Sequence, residues 1–233
     1  ITPRNFTFRS REFEQMELEF FVKPEPAIQS EWYEYWKQAR YQWYKDLGIK
    51  PDHLHLRDHT KDELAHYASA CVDVEYDFPF GRSELEGIAD RGNYDLTQHI
   101  QFSKKDLSYF NQETNEKFVP AVIEASAGCD RTLLTVLCDA YFEDEMDGEK
   151  RVVMRFAPHI APIKLAVLPL SKKLSEPALA IEKDLRRHFK TDYDDAGSIG
   201  KRYRRQDEAG TPFCATFDFD SLNDQKVTIR ERD

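Results

Sequence analysis

The sequence lacks any run of about 18 apolar residues, so no segment reads as a transmembrane helix. The opening residues do not read as a signal peptide, so none is expected there. Cysteine is scarce. Cys71, Cys129, Cys138 and Cys214 are widely spaced and form no CxxC pair. That argues against a zinc knuckle or a disulfide scaffold and fits a reducing cytosol. No GxxxxGK(S/T) or GxGxxG phosphate loop occurs, and no nucleophile elbow supports a Ser/His/Asp triad. Internal repeats and low-complexity runs are also missing. The first residue is Ile1 rather than Met, and the opening residues read as the inside of a folded domain. The chain is therefore expected to be a piece of a longer protein.

What is present is a core. Of 233 residues, 40% are apolar and 13% aromatic, with 16 Phe and 11 Tyr, which excludes global disorder. The length fits one large domain or two of ordinary size. Charged residues reach 33% and mean hydropathy is -0.70. A net charge of -10 argues against nonspecific nucleic-acid binding by the whole surface but leaves room for a local basic patch.

Residues 13–22 alternate. Met16, Leu18, Phe20 and Val22 point one way and Gln15, Glu17, Glu19 and Phe21 the other, which predicts a strand with an acidic face. Residues 30–47 read as a helix capped by Ser30 and stopped by Gly48, with an aromatic stripe of Trp32, Tyr35, Trp36 and Trp43 facing the core. Residues 60–70 read as a second helix, with Thr60 and Glu63 as a capping box. Strands are predicted over 71–78 and 118–126, and a helix over 130–142. The acidic run Glu143-Asp144-Glu145-Met146-Asp147-Gly148-Glu149-Lys150 reads as an exposed turn, which sets domains of 1–154 and 155–233. Beyond it, the apolar run Lys164 to Leu170, the helix opened by Ser175-Glu176-Pro177 and running to about Lys190, a helix over 199–207, and strands at 213–219 and 227–230 predict a small α/β domain.

Four segments carry chemistry. Val119 to Leu134 is a strand, a small-residue turn and a helix start, with Arg131 in the first helical turn. A cation there opposes the helix dipole unless it meets an anion. A ligand site and an ordinary strand–turn–helix with a surface arginine are equally open on these residues alone. In Phe8 to Glu17, two arginines precede acidic positions, which suits a phosphate beside an amine or simply a salt-bridged strand. In Phe80 to Gly87, Glu84 and Glu86 alternate on an extended piece, as if facing the same way, and are able to hold Mg²⁺ against phosphates. Lys201-Arg202-Tyr203-Arg204-Arg205, with Lys183, Arg186, Arg187, His188 and Lys190, suits phosphates and a stacked base, or a solvated helix face. His53, His55, His59 and His66 match no zinc spacing, so no zinc is expected.

Taken together, these segments resemble the homodimeric, class II type of glycyl-tRNA synthetase. The matching runs are Ile1 to Asn5, Phe8 to Phe21, Phe80 to Asp90, Glu124 to Leu134, Ala161 to Lys173 and Gln206 to Pro212, which span essentially the whole chain. The resemblance implies an antiparallel-sheet class II catalytic core, here partial, followed by a small α/β anticodon-binding domain. It implies activation of glycine with ATP and Mg²⁺, transfer to the 3′ end of tRNA(Gly), a cytoplasmic homodimer and no membrane association. It assigns ATP contacts to Phe8, Arg9, Ser10, Arg11, Glu12 and Phe13, to Glu84 and Leu85, and to Gly128, Cys129, Asp130 and Arg131. Arg11 and Arg131 are the implied catalytic residues, and Glu84 the implied Mg²⁺ ligand. Glycine contacts fall on Phe13, Glu14, Gln15, Met16 and Glu17, and on Glu124, Ala125, Ser126, Ala127 and Gly128. Lys201, Arg202, Arg204 and Arg205 are expected at the tRNA.

The resemblance also implies departures. The family's motif 1 and the Arg-x-Glu of motif 2 precede the position of Ile1, so the 233-residue chain alone is expected to be inactive or crippled. Arg82 stands where an aromatic residue is expected, which bears on packing near the ATP site. A non-catalytic, synthetase-like nucleic-acid-binding protein and a class II synthetase for another amino acid are the alternatives. Joint retention of Arg11, Glu17, Glu84, Glu124, Ser126 and Arg131 favours the enzyme, and Glu124 to Gly128 beside the acidic strand favours glycine.

Overall fold

A computed structural model describes residues 2–146 and 148–233. Ile1 and Asp147, each within a run singled out above, lie outside the described residues. The chain divides into two compact units, 1–135 and 136–233.

In the first unit β1 (Gln15–Val22) leads into α1 (Pro26–Asp46). Then come β2 (Leu54–Asp58), β3 (Ala70–Phe78), β4 (Gly81–Gly92) and α2 (Tyr94–Ser103). A small hairpin of β5 (Tyr109–Asn111) and β6 (Glu116–Phe118) precedes β7 (Ala121–Gly128), and α3 (Cys129–Ala140) begins directly at its end. Among the described residues, β1-β7-β4-β3-β2 form an antiparallel five-stranded sheet.

The predicted alternation of β1 is realised. Phe20 meets Trp32 and Trp36 of α1 at ring separations of 4.5 and 5.4 Å, so Met16, Leu18 and Phe20 lie on the helix side. Val72, Val74, Ile88 and Ile123 are fully buried in the sheet. Each contributes about 1.5–3 kcal/mol of burial. α1 starts at Pro26, four positions before the predicted Ser30 cap, because a proline in the first turn gives up an amide that has no helical partner anyway. It ends as predicted at Gly48, whose φ of 90° suits a residue without a Cβ.

The helix expected over 60–70 is absent, and the segment folds as turns. Only half of the capping box forms: Thr60 N and Oγ1 both donate to Glu63 Oε2, at 2.8 and 3.0 Å, while the Glu63 amide bonds the Thr60 carbonyl rather than its hydroxyl. Glu63 is also claimed by Arg57, and His66 and Tyr67 pack on Tyr94 and Arg91, so these tertiary contacts override the local signal.

Glu84 and Glu86 do not face the same way. Glu75 pairs with Glu84 while Val74 pairs with Glu86, so Leu85 is the extra residue of a β-bulge that breaks the alternation. Glu84 stays exposed, whereas Glu86 is 1% exposed and takes Arg40 of α1 at 2.6 and 3.1 Å.

The second unit contains the hairpin of β8 (Tyr141–Met146) and β9 (Glu149–Met154). It continues through β10 (Leu165–Pro169), α4 (Ser175–Leu185), β11 (Thr191–Tyr193), α5 (Ile199–Ala209), β12 (Phe213–Phe217), the short α6 (Ser221–Asp224) and β13 (Thr228–Glu231). The sheet order is β11-β10-β12-β13, with β10 parallel to both neighbours, as a strand–helix–strand succession requires. α4 ends earlier than predicted, and Ser175 bonds Asp195 at 3.0 Å instead of capping it. Gly210 ends α5 at φ 79°. A Cβ there would run into the Phe156 ring and stand 2.8 Å from the Met154 carbonyl.

Candidate functional site

The face of the first sheet opposite α1 is polar. Register sets Glu17, Ser126, Gly87, Asp73 and Arg57 in one row across β1, β7, β4, β3 and β2. The next row runs Glu19, Glu124, Ala89 and Cys71. Carboxylates on β1 and β7 thus border a floor of Gly87, Ala89 and Ser126, which has almost no side-chain height.

Beside this floor lies a cavity of about 450 Å³. Its walls come from the three segments that the resemblance brings together. Phe8, Arg9, Ser10 and Phe13 form one side, and Glu84 with Leu85 another. Gly128, Asp130 and Arg131 supply the third, and Glu14, Gln15 and Ser126 join it to the floor. Gln15 Nε2 donates to Ser126 Oγ at 2.6 Å. The start of α3 is fixed to the approach to β1: Cys129 N donates to the Glu14 carbonyl at 2.9 Å and Glu14 N to Asp130 Oδ2 at 3.0 Å.

Arg131 turns into the cavity from the first turn of α3. Its guanidinium carbon sits 4.3 Å above the Phe8 ring, and Nη1 donates to the Glu84 carbonyl at 2.9 Å. Phe8 is itself held by Phe78 and Phe80 at 5.2 and 5.0 Å. A guanidinium resting on a ring and a carbonyl remains a full charge free to meet an anion. The Glu84 carboxylate makes no hydrogen bond or ion pair among the described residues. One hard oxygen donor beside a cavity of this size fits the way Mg²⁺ is held, through one carboxylate and the phosphates of a nucleotide.

The remaining expected residues divide by geometry. Glu17 and Glu124 face the polar side, over the floor rather than in the cavity wall. Arg11 and Glu12 are exposed and do not line this cavity, and Arg11 makes no bond to its neighbours among the described residues. Met16, Ala125 and Ala127 are turned to the α1 side by strand alternation, with Ala125 and Ala127 4% and 3% exposed. Their expected glycine contacts are corrected accordingly, because only their backbone is available to the polar face. Arg82 does not line this cavity. It pairs with Asp77 at 2.8 Å, and with His55 on the same carboxylate the Asp77 acid is held down at about 2.

Sequence reasoning missed Arg91. Nη1 donates to Glu124 and Nε to Asp95 at 2.8 Å, and the guanidinium carbon lies 4.4 Å over the Tyr67 ring. The period of two through Gly87, Ala89 and Arg91 was the available signal. Burial pushes the Glu19 carboxyl up, and the Glu124 charge opposite it adds to this.

His59, Cys71 and Asp73 bring ligand atoms within 4.8 Å of one another. Arg57 already donates to Asp73 at 2.6 Å and lies 3.3 Å from His59 Nε2, so a cation there would face a guanidinium. Burial pushes the Cys71 thiol up to about 11, away from the thiolate that binds metals.

In the second unit the basic cluster of α5 is split. Arg202 is 2% exposed and donates to the carbonyls of Pro169, Asp195 and Gly197. It is corrected from a tRNA contact to a buried bracket, because Ile199 and Tyr203 turn that face of the helix into the core. Arg205 pairs with Asp194 at 2.5 Å and Arg204 approaches Glu149 at 3.7 Å. Lys201 is exposed and unpaired among the described residues. After α4, Arg186 and Arg187 pair with Glu182 and Asp184 within their own segment.

Known proteins match both units. The tRNA synthetase class II core domain (G, H, P, S and T) matches residues 6–156, and the anticodon binding domain matches residues 164–233. A glycine–tRNA ligase of Acetivibrio thermocellus is 59% identical over 234 aligned residues, covering 100% of this chain and 50% of the relative. Glycine–tRNA ligases of Caldanaerobacter subterraneus subsp. tengcongensis and Macrococcus caseolyticus are 57% and 59% identical, with the same coverage. The chain thus spans about half the length of the curated relatives it matches. No helix among the described residues is long and apolar enough to cross a membrane. An antiparallel sheet with an open polar face, a helix that starts at the end of its β7 strand and an α/β unit later in the sequence are accounted for by one family: the chain belongs to the class II tRNA synthetases.

Proposed function

We propose that the protein containing this chain is a glycine–tRNA ligase, acting in the cytoplasm as a homodimer. The observation that carries the reading is the row Glu17–Ser126–Gly87 beside the Arg131 cavity. An ammonium group would meet Glu17 and Glu124, and the floor leaves height for an amino acid without a side chain. The identity of the relatives supports glycine as the substrate, and the non-catalytic alternative has no comparable support.

ATP would lie in the cavity with its phosphates toward Arg131 and Arg9. A glycine carboxylate oxygen attacks the α-phosphorus, the bond to the bridging oxygen breaks, and pyrophosphate leaves. A hydroxyl of the terminal ribose of tRNA then attacks the activated carbonyl, and AMP departs with the electron pair. Positioning and neutralisation of charge carry most of this chemistry. Mg²⁺, held through Glu84, would supply Lewis-acid polarisation of the phosphates. Arg131 neutralises phosphate charge in the same cavity, and Glu17, Glu124 and Ser126 orient the amine. Selection against alanine is steric.

We place the functional boundary after residue 154, in keeping with the reach of the matched core. Contact between the β8–β9 hairpin and α5, through Arg151 and Asp207, draws the compact-unit boundary earlier without changing that assignment. Lys201, Arg204 and Arg205 remain the cations offered to tRNA.

The test is glycine-dependent ATP–pyrophosphate exchange by the whole polypeptide, with alanine and serine as controls. Exchange with glycine alone is expected. Arg131→Ala should lose at least about a hundredfold in exchange, as removal of a preorganised charge does. Undiminished exchange in that variant would remove Arg131 from the mechanism.

A further inference from the structure

Glu124 has a problem that its own strand does not solve. Its neighbour across β1 is Glu19, and Glu17 lies two positions along the same face. These carboxylates repel one another, so a cation must hold Glu124 in place. Arg91 does so through Nη1, yet its Nε is bound to Asp95 at 2.8 Å. A long guanidinium side chain shared by two carboxylates has many ways to satisfy both. Something has to choose among them.

We propose that Tyr67 is a positioning residue for Glu124, acting through Arg91. Its ring lies under the guanidinium, with the carbon 4.4 Å from the centroid, and so restricts the plane of Arg91. The ring is backed by Tyr94, stacked at 6.2 Å and 25°, and Tyr94 meets His66 edge-on at 5.0 Å. The Tyr67 hydroxyl has no hydrogen-bond partner among the described residues, so the ring face and not the oxygen does the positioning. This also gives a use to the segment that starts a helix at Thr60 and then abandons it. The inference rests on the glycine reading, in which Glu124 meets the ammonium group.

Two variants test it in the whole polypeptide. Tyr67→Leu removes the ring and should raise KM for glycine about tenfold, leaving kcat and KM for ATP within a factor of about two, because ground-state and transition-state binding weaken together. Tyr67→Phe keeps the ring and should restore the wild-type KM. An unchanged glycine KM in Tyr67→Leu overturns the proposal. So does an equal rise in both KM values that Phe fails to rescue, since that is a merely structural defect. A second readout needs no activity: the Arg91 Nε–H resonance in ¹⁵N NMR. It should be slow to exchange in wild type and Tyr67→Phe, and lost to exchange in Tyr67→Leu. Persistence in Tyr67→Leu overturns the linkage. Absence of glycine-dependent exchange in the wild type would instead refute the glycine reading, and the Arg91 resonance would still decide the linkage.

Discussion

Replacing Arg202 by alanine separates a structural arginine from an RNA-binding one. Arg202 sits in the sequence Lys-Arg-Tyr-Arg-Arg, which on composition alone is a phosphate-binding run. Its side chain instead fills a hole in the second unit and bonds four carbonyls; Ala196 at 3.4 Å also accepts from Arg205, so Pro169, Asp195 at 2.8 Å and Gly197 at 2.7 Å are the three that depend on Arg202. Alanine leaves those carbonyls facing a void. Each orphaned acceptor costs about 1–3 kcal/mol, and entering water recovers part of it, so the net loss is about 3–4 kcal/mol. In urea, with a slope of about 2 kcal/mol per molar, the midpoint falls by about 1.5–2 M. Lys201→Ala, at an exposed position, stays within about 0.5 kcal/mol of wild type. The salt dependence of tRNA binding completes the test. Joint replacement of Lys201, Arg204 and Arg205 should lower the slope by about 0.9 for each phosphate that is no longer neutralised. An Arg202→Ala chain with an unchanged urea midpoint and a lowered salt slope would refute the reasoning, because the arginine would then serve RNA and not the fold.

Two further outcomes follow from single residues. Glu19 has its carboxyl pKa raised in the folded state, first by burial and then by Glu124, so ionisation at pH 7 works against folding. That penalty vanishes as pH falls below the ordinary carboxyl value. Glu19→Gln should therefore melt higher than wild type at pH 7 and equal to it near pH 4, and the opposite trend would reverse the sign of the interaction. Gly210→Ala combines a positive φ with a clash on Phe156 and should cost more than about 3 kcal/mol by thermal denaturation. A melt unchanged within error would mean that the end of α5 yields easily.

Much of the molecule is legible in the residues because local and tertiary preferences agree. The alternation of Met16 to Val22 is the burial pattern of β1, and the apolar run from Leu165 to Pro169 is the buried β10. The junction before Arg131, where β7 passes directly into α3 rather than through the expected turn, does deliver that side chain into a cavity. Failures occur where long-range contacts win. The capping box at Thr60 forms only by half and does not propagate, since Arg57, Arg91 and Tyr94 take the side chains that would have lined a helix. Glu84 and Glu86 part company because one bulged residue reverses an inferred face. Arg202 is hidden because polarity was read as exposure. Its spacing of three from Ile199, on a helix whose buried face also carries Gln206, was the sign that it turns inward.

Gly87 is where the steric account of specificity meets the fold most directly. It occupies the centre of the row between Ser126 and Asp73. A Cβ built there would meet only Asp73 Oδ1, at 3.9 Å, which is ordinary contact, and the backbone does not lie at positive φ. The fold therefore has no need of glycine at this position, and Gly87→Ala should melt within about 1 kcal/mol of wild type. The substrate does have such a need, if the floor is what limits its height. A methyl placed on the floor takes space of the size that alanine's side chain would require. A single methyl mismatch is worth about 1–3 kcal/mol, so KM for glycine in pyrophosphate exchange should rise about 10- to 200-fold, while KM for ATP, bound beside Arg131, stays unchanged. A folded Gly87→Ala protein with an unaltered glycine KM would show that the amino acid does not lie over this floor. The acidic row of β1 would then have to serve some other group.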